Sequence, residues 1–309
     1  MCLVSFSKNK DYNSLDKIKK FDGLPKWGYI DITNVCNHKC SWCYNGRTHN
    51  KIFMRLADFK NILDKFSEIG IFQITITGGE PTLHPEFKEF VKAANKFNLH
   101  IASNGDFISY ELAIFFADND VKQVQFNFQG SKFHDKVHQS VGSFVKVCQS
   151  IENVRKAGIT AVTMTTLGPY LIDYIGEIFR EAEALTIDRI RVWDAIGAPA
   201  NNYWKNIDLA AVFEKCRNEA NKLEYIYSLS YESLFNADIN FYCPQLQNMF
   251  ISVKSDGRIT CCSGDNFDFD NTIIKNAFQI NASDLLTEYL AYNKKILQNR
   301  GPYCFVRNH

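Results

Sequence analysis

The sequence predicts an α/β fold built around a parallel sheet. Short runs rich in β-branched and aromatic residues alternate with longer segments whose apolar residues recur near the helical period. This alternation favours parallel strands joined by right-handed helical crossovers. A six-unit open barrel and a doubly wound sheet both satisfy it. The 309 residues, 46% of them hydrophobic, allow one large domain with a small appendage.

The strands and helices can be assigned in order along the chain. The predicted strands are Trp27–Ile32, Ile71–Thr77, His100–Ser103, Lys122–Phe128, Thr160–Thr166 and Arg189–Asp194. The predicted helices between them are Leu56–Ser67, Phe87–Phe97, Ser109–Ala117, Ser143–Ala157 and Tyr170–Ala184. In the fourth helix Val147, Ile151 and Val154 share one face, and Ser143 is a candidate N-cap.

Composition narrows the function classes. A net charge of +1 gives no broad attraction to nucleic acid or to an anionic membrane. No apolar run reaches the roughly 18 residues of a membrane span, and the first ten residues lack the apolar stretch of a secretory signal. We therefore expect a cytoplasmic protein with no nucleic-acid or membrane partner. In that reducing compartment, ten cysteines suggest metal binding or catalysis rather than disulfides.

Three of these cysteines stand directly after the first predicted strand. Cys36, Cys40 and Cys43 are spaced C-x3-C-x2-C, with no fourth cysteine nearby. Thiolates favour iron–sulfur clusters, zinc or copper(I), and a closed structural site needs four ligands. Three thiolates on one loop would leave one iron of a cluster open to a substrate. Buried thiols, or half of a zinc site, are the alternatives.

Two further motifs follow the next two strands. The segment after the second strand contains Gly78, Gly79, Glu80 and Pro81, in which the glycines allow close backbone approach and the glutamate offers an acceptor for an ammonium group. The third strand ends in Ala102-Ser-Asn-Gly105. Ligands of parallel α/β folds bind at the carboxyl ends of strands, so all three motifs are expected at one edge of the sheet.

Together these motifs resemble the radical S-adenosylmethionine (radical SAM) superfamily. The resemblance implies a partial (β/α)6 TIM-type barrel over residues 26–225, preceded by an extension of residues 1–25. It also implies a [4Fe–4S] cluster on the three cysteines, whose open iron chelates the amino and carboxylate groups of SAM. Gly78–Pro81 would hold the SAM amino group. Ser103 and Asn104 would lie near the ribose, and Trp42 near the adenine, unless Trp42 is simply a core residue.

The reaction that this resemblance implies is radical chemistry. The reduced cluster breaks SAM into methionine and a 5′-deoxyadenosyl radical, which abstracts hydrogen from an unreactive C–H bond. An external electron donor such as flavodoxin or ferredoxin would be the partner.

The fourth strand and the loop after it bear on the substrate. His134, Asp135, Gly142, Ser143 and Phe144 match a stretch of radical SAM enzymes that modify peptides. Asn127, Gln129 and His138 replace a serine, an aspartate and an arginine of that stretch, where the family touches SAM or substrate. Asn127 is kept as a SAM-binding candidate.

A peptide maturase, such as an epimerase or crosslinking enzyme, is therefore the leading hypothesis. The alternative is a dehydrogenase of a sugar, aminocyclitol or other small molecule. A non-catalytic zinc-binding module is a hypothesis of a different class.

Residues 226–309 are expected to form a small α/β hairpin-plus-helix domain. The strand Met249–Val253, an Asp-Gly turn and the strand Arg258–Cys262 predict a hairpin, a helix over Ile207–Leu223 precedes it, and one over Ser283–Gln298 follows, with Ser283 as its N-cap. The spacing of Cys243, Gly257 and Cys262 resembles the twitch domain, a shortened SPASM domain. This resemblance implies an auxiliary [4Fe–4S] cluster with Cys243, Cys261, Cys262 and Cys304 as candidate ligands.

Cys261 and Cys262 have a second possible role. Neighbours on a strand point to opposite faces, so one can bind a metal while the other faces the cavity. A Cys-Cys pair after a similar hairpin occurs in radical SAM peptide epimerases, where a cysteine donates a hydrogen atom to a carbon radical. Both cysteines are therefore candidate catalytic residues.

Overall fold

A computed structural model describes residues 3–8, 23–43, 50–194, 207–228, 248, 250–260 and 272–300. Its strands form one sheet in the order β11-β10-β9-β2-β3-β4-β5-β6-β7-β1-β8. The strands are β1 Leu3–Ser7, β2 Trp27–Asp31, β3 Gln73–Thr77, β4 Asn98–Ser103, β5 Val121–Asn127, β6 Thr160–Leu167, β7 Arg189–Asp194, β8 Ile226–Ser228, β9 Phe250–Val253, β10 Ile259–Thr260 and β11 Thr272–Ile274.

The helices lie between and after these strands. They are α1 Leu56–Glu68, α2 Phe87–Ala94, α3 Tyr110–Asp118, α4 His134–His138, α5 Ser143–Lys156, α6 Ile175–Ala184, α7 Leu209–Lys222 and α8 Ala282–Arg300, with 3-10 turns at Pro81–Leu83 and Pro169–Tyr174. The six predicted strands and the helices between them are confirmed, with boundaries shifted by a few residues.

Strands β2 to β7 are all parallel and lie side by side in chain order. Strand β9 continues the sheet beyond β2, and strand β1 continues it beyond β7. Because β2 and β7 do not pair with each other, the described strands form an open sheet and do not close into a ring. The expected partial (β/α)6 barrel is confirmed in this open form, and the doubly wound alternative is excluded because no strand between β2 and β7 reverses the order.

Both edges of the parallel sheet are extended by segments from the chain ends. β1 pairs antiparallel with β7, so part of the expected N-terminal extension belongs to the sheet. At the other edge β9 runs parallel to β2 and begins the predicted hairpin, in which Ile259 faces Val253. The hairpin is confirmed up to Thr260, where the described part of this segment ends.

One face of the sheet packs against the helices and forms the core. Ile30, Ile74 and Ile76 point to this face and are fully buried, as are Phe59 and Phe66 of α1. A methyl-sized side chain at Gly28 would meet the Phe66 ring, so helix and strand are in direct contact there. Each such large apolar side chain stabilises the fold by about 1.5–3 kcal/mol when buried.

Two predicted helix caps are wrong. The Asp135 carboxylate accepts hydrogen bonds from the backbone nitrogens of Gly142 (2.6 Å) and Phe144 (2.8 Å) at the start of α5, and Ser143 donates its own hydroxyl to Asp135. At α8 the Asn281 side chain accepts from the Asp284 nitrogen, so Asn281 caps the helix in place of Ser283. In each case a residue before the first turn has the better geometry for the exposed N–H groups.

No helix in the described ranges has the length and apolarity needed to cross a membrane.

Candidate functional site

The three sequence motifs meet at one edge of the sheet. The cysteine loop follows β2, Gly78–Pro81 follows β3, and Ser103 and Asn104 stand at the end of β4. Since β2, β3 and β4 are parallel neighbours, their carboxyl ends lie together. The predicted grouping of these motifs is therefore present in the fold.

The glycine pair packs against the chain leading into the cysteine loop. The Gly79 nitrogen donates to the Thr33 carbonyl at 2.7 Å, and the Glu80 nitrogen to the Val35 carbonyl at 2.8 Å. A Cβ on Gly78 would clash with the Thr33 carbonyl oxygen, and one on Gly79 with the Val35 carbonyl oxygen. Gly78 also has a φ of 147°, which favours glycine. The backbone at Gly78 and Gly79 thus packs so closely against residues 33–35, immediately before Cys36, that only glycine fits there.

Glu80 connects the loops after β3 and β4. Its side chain is fully buried. Oε1 accepts from the Ser103 hydroxyl at 2.8 Å and from the backbone nitrogen and hydroxyl of Thr82, and Oε2 accepts from the Asn104 nitrogen at 2.7 Å. Burial raises the pKa of Glu80, and these hydrogen bonds oppose the rise.

Asn104 and Asp106 connect the β4 loop to the cysteine loop. The Asn104 amide donates to the Asn37 side chain at 2.8 Å, and Asn37 donates to Asp106 at the same distance. Asp106 also lies 3.1 Å from Nε2 of His38 and 3.2 Å from the Lys146 ammonium group. Residues between the first and second cysteines are thereby held by the loop after β4, two strands away in the sheet.

The cysteine loop also rests on the short helix α4. The backbone nitrogens of Lys39 and Ser41 donate to the His138 and Val137 carbonyls, each at 3.1 Å. Nδ1 of His138 lies 3.3 Å from Cys40 Sγ and 3.2 Å from Nδ1 of His38. The His134 ring stacks on His138 with centroids 4.2 Å apart. His138 therefore touches a candidate metal ligand directly.

The three thiols influence one another's ionisation. Although Cys36 and Cys43 have accessible surface, the protein around Cys36 excludes enough water to raise its pKa to about 12. Glu80 and Cys43 raise the pKa of Cys36 further, while hydrogen bonds from His38 and Asn104 lower it. The Cys40 pKa is raised by burial and then by Cys43 and Cys36. A metal that binds these thiols must therefore displace their protons.

The donor set fits an iron–sulfur cluster. It consists of three soft sulfur atoms on one loop, two of them exposed and close enough to interact electrostatically. The ligand atoms of His38, Cys40 and His138 also lie within 4.8 Å of one another, a group that could hold a single metal ion. These three residues are therefore the candidate ligands if the protein binds zinc instead of an iron–sulfur cluster.

The other predicted site residues have different surroundings. Trp42 is 8% exposed and packs against Val137 and the edge of the His138 ring. Asn127 is half-buried at the end of β5. Cys243, Cys261, Cys262 and Cys304 lie outside the described residues, so their roles remain predictions.

Four site residues were missed or given no role by the sequence reasoning. His38 occupies a variable position of the C-x3-C spacing and Asp106 belongs to no motif, and only the three-dimensional contact between their loops relates them. Asp135 and His138 lie in the stretch that resembles peptide-modifying enzymes, and the replacement of the family's arginine by His138 was the available signal. The fold turns this stretch into a support for the cysteine loop and for α5.

Part of the chain matches a known protein family. Residues 30–182 match the family model of the Radical SAM superfamily. The GTP 3′,8-cyclase of Psychromonas ingrahamii is 30% identical over 159 residues, which cover 48% of this chain and 46% of that protein. The PqqA peptide cyclase of Rhodopseudomonas palustris is 25% identical over 176 residues, covering 55% and 47% respectively. The chain thus spans about half the length of these curated relatives.

A solved structure resembles nearly the whole chain. The crystal structure of Streptococcus suis SuiB bound to S-adenosylmethionine aligns with a TM-score of 0.69 over 94% of this chain and 70% of that chain. The sequence identity is 17%, so this likeness concerns the fold.

Proposed function

Because residues 30–182 belong to the radical SAM superfamily, we propose that this protein is a radical SAM enzyme that abstracts hydrogen from a peptide substrate. Cys36, Cys40 and Cys43 would hold a [4Fe–4S] cluster, with SAM beside it. The observation that supports this most is the joining of the three motif loops through Glu80 and Asn104. When bound, the reduced cluster supplies the electron that cleaves SAM to methionine and a 5′-deoxyadenosyl radical.

The residues around the cysteines would position SAM. A carboxylate offers about four acceptor sites. Oε1 of Glu80 accepts from three groups and Oε2 from the Asn104 nitrogen alone, so the spare capacity for the SAM amino group lies on Oε2. Ser103 and Asn104, the ribose candidates, also hold the loop in shape. Trp42 would border the adenine from its packed position beside Val137.

The peptide substrate is supported by two observations. A relative of this chain is named for a peptide that it cyclises. The residues from His134 to Phe144, which resemble peptide-modifying enzymes, form one hydrogen-bonded unit, because Asp135 of α4 accepts from the first backbone N–H groups of α5. A small gene for a precursor peptide beside this one would support the assignment, whereas neighbouring genes for sugar or antibiotic biosynthesis would favour the dehydrogenase alternative.

Anaerobic reconstitution tests the core of the proposal. Full-length protein treated with iron, sulfide and dithionite is expected to form 5′-deoxyadenosine from SAM, measured by chromatography. The Cys36→Ala variant should lose this activity. Cys148→Ala is the matched control, because Cys148 is a half-buried thiol on α5 that belongs to none of the three motifs. Full activity of Cys36→Ala would overturn the assignment.

A second cluster and a thiol donor are further parts of the proposal. Cys243, Cys304 and one of Cys261 and Cys262 would bind an auxiliary [4Fe–4S] cluster. The other thiol would give its hydrogen atom to a substrate carbon radical, which leaves a thiyl radical. Reaction in D2O tests this role: if the Cys261→Ala and Cys262→Ala variants both still deliver solvent deuterium to the product, neither thiol is the donor. Flavodoxin or ferredoxin would supply the electrons for the first cluster.

A zinc-binding module is the second candidate, favoured by the group of His38, Cys40 and His138. The colour of anaerobically purified protein separates the two functions. Brown protein with broad absorption near 400 nm indicates iron–sulfur, as we expect. Colourless protein containing zinc would favour the module.

A further inference from the structure

The second face of the sheet contains buried polar side chains that the proposed function leaves unused. Along β7, Ile190 and Val192 are fully buried in the helix-facing core. Successive side chains on a strand point to opposite faces, so Arg189 and Arg191 point to the face away from the helices. Both are nevertheless at most 9% exposed.

The sheet curves around this polar face. His100 of β4 and the two arginines of β7 are three strands apart, a distance of about 14 Å in a flat sheet. Parallel strands joined by helices on one face twist and coil into an open barrel, so the strands bend around the other face. Burial, and then the charges of Arg191 and Arg189, lower the pKa of His100 to about 3, in agreement with this arrangement. The face is thus concave, as in an incomplete barrel, and its side chains converge.

The converging groups are mostly hydrogen-bond donors. Nε of Arg191 and the amide nitrogens of Gln123 and Gln125 are buried and have no hydrogen-bond partner. Gln125 lies level with Arg189, with one residue of β6 between them, and Gln123 is one step below on the same face. Arg191 forms no ion pair with any residue that the structure describes. Asp31, on this face at the other side of the curve, is already paired with Lys254 at 3.3 Å.

A buried guanidinium without a counter-ion is unfavourable. Arginine stays protonated in proteins, and an unpaired buried charge destabilises the folded state. Unpaired amide donors on the same face destabilise it further. A planar anion that accepts two parallel N–H groups would satisfy both kinds of donor.

We propose that Arg191, with Gln125 one step below it on the same face, binds a carboxylate of the substrate on the concave face. This inference rests on the proposed function, because a peptide supplies such a group as an aspartate or glutamate side chain or as its C-terminus. Arg189 contributes a second positive charge from the same strand. The pair would hold an acidic residue of the substrate inside the curve of the sheet, level with Asn127 at the end of β5.

Thermal unfolding of the full-length reconstituted protein tests the site with defined probes. N-acetylglutamate amide supplies a side-chain carboxylate, N-acetylglutamine amide is its neutral isostere, and inorganic phosphate is a different anion. At 10 mM the glutamate probe is expected to raise the Tm by about 2 °C, and the glutamine probe to leave it unchanged. An equal response to both probes, no response to either, or a response to phosphate alone would overturn the proposal.

Variants of Arg191 assign the response to this residue. Arg191→Met should abolish the Tm rise and should itself unfold at the wild-type temperature or above it, since an apolar residue replaces an unpaired charge. Arg191→Lys keeps the charge without the planar fork and should respond less than wild type. Arg155→Met is the control, because Arg155 is exposed on α5, and should respond like wild type. A strongly lowered Tm or failed folding of Arg191→Met, or a full response of either Arg191 variant, would contradict the proposal.

Two further measurements separate this inference from its premises. The SAM dissociation constant of Arg191→Met should equal that of wild type, and a large rise would assign the carboxylate to SAM instead of the substrate. The Tm response does not require SAM cleavage. A Tm response to the glutamate probe without formation of 5′-deoxyadenosine would therefore support the anion site and contradict the proposed function.

Discussion

Oε2 of Glu80 lies 2.7 Å from the backbone nitrogen of Asn104, and this contact joins the ends of two neighbouring parallel strands. Through Asn104 and Asn37 the connection continues to the loop of Cys36 and Cys40. A single buried carboxylate thus links the glycine-rich turn, the β4 loop and the thiols. The account of the site depends on this network more than on any one motif.

The Glu80→Gln variant tests the network. Glu80 now accepts hydrogen bonds from N–H and hydroxyl groups, and the glutamine amide would point its own N–H group at one of these donors. A buried donor left without an acceptor costs about 1–3 kcal/mol. We expect a lower free energy of unfolding in urea and a SAM affinity reduced at least tenfold by equilibrium dialysis. Glu89→Gln, on the exposed pair with Lys92, is the control and should change neither quantity. Wild-type stability and affinity in Glu80→Gln would show that the network is dispensable.

His138 is expected to tune the cluster through its contact with Cys40. With Nδ1 protonated, the ring donates towards the sulfur at 3.3 Å, and hydrogen bonds to cluster sulfurs favour the reduced state. His138→Phe should therefore give a more negative reduction potential in a redox titration followed by electron paramagnetic resonance (EPR). His138→Asn keeps an N–H donor and should shift the potential less. Equal potentials in all three proteins would contradict the role of His138.

Asp135 is expected to stabilise the fold rather than to take part in chemistry. Hydrogen bonds from Phe144, Gly142 and Ser143 lower its pKa below 3.8, although burial alone would raise it. The folded state therefore keeps this stabilisation above that pH and loses it as the pH falls through the lowered pKa. Asp135→Ala should reduce the free energy of unfolding at pH 7 by about 1–2 kcal/mol.

Chemical denaturation measures the effect of Asp135. Asp118→Ala, at the exposed C-terminal end of α3, is the control and should be close to neutral. The same loss in both variants would mean that Asp135 has no special part in joining α4 to α5.

His100 is expected to make stability depend on pH. Its pKa is lowered from 6.5 to about 3 by burial and then by Arg191 and Arg189, so the unfolded chain binds the proton first as pH falls. Stability should decline below pH 6.5, and the share of His100 reaches about 2 kcal/mol at pH 5. Urea unfolding at pH 7, 6 and 5 should show a smaller decline for His100→Gln than for wild type. Identical declines would refute the assignment to His100.

Local patterns in the sequence were sufficient for the repeating part of the fold. Isoleucines that face the core alternate with polar residues along β3, and Val147, Ile151 and Val154 recur at the helical period. Such patterns depend only on which face of the element is buried, so they can be recognised in the sequence. The pairing of β1 with β7 joins residues nearly 190 positions apart, and nothing in Leu3–Ser7 specifies that partner. Short helix α4 has too few residues for a periodic signal.

The candidate site was predictable to the same extent. The cysteine spacing and the Gly78–Pro81 turn are local, so the sequence displayed them directly. The contacts of His138 with Cys40, and of Asp106 with His38, join loops that follow different strands. They became visible only when the parallel sheet brought those loops together. The capping of α5 by Asp135 instead of Ser143 was missed for a related reason, because it depends on how α4 is oriented.

The central claim is that Cys36, Cys40 and Cys43 hold a cluster with one iron open to SAM. EPR of the dithionite-reduced, reconstituted protein tests it most directly, with the Cys36→Ala variant as reference for any other cluster. We predict a signal that is absent from the variant and changes in shape when SAM is added. A signal that does not respond to SAM, or that is equally strong in wild type and Cys36→Ala, would contradict the account.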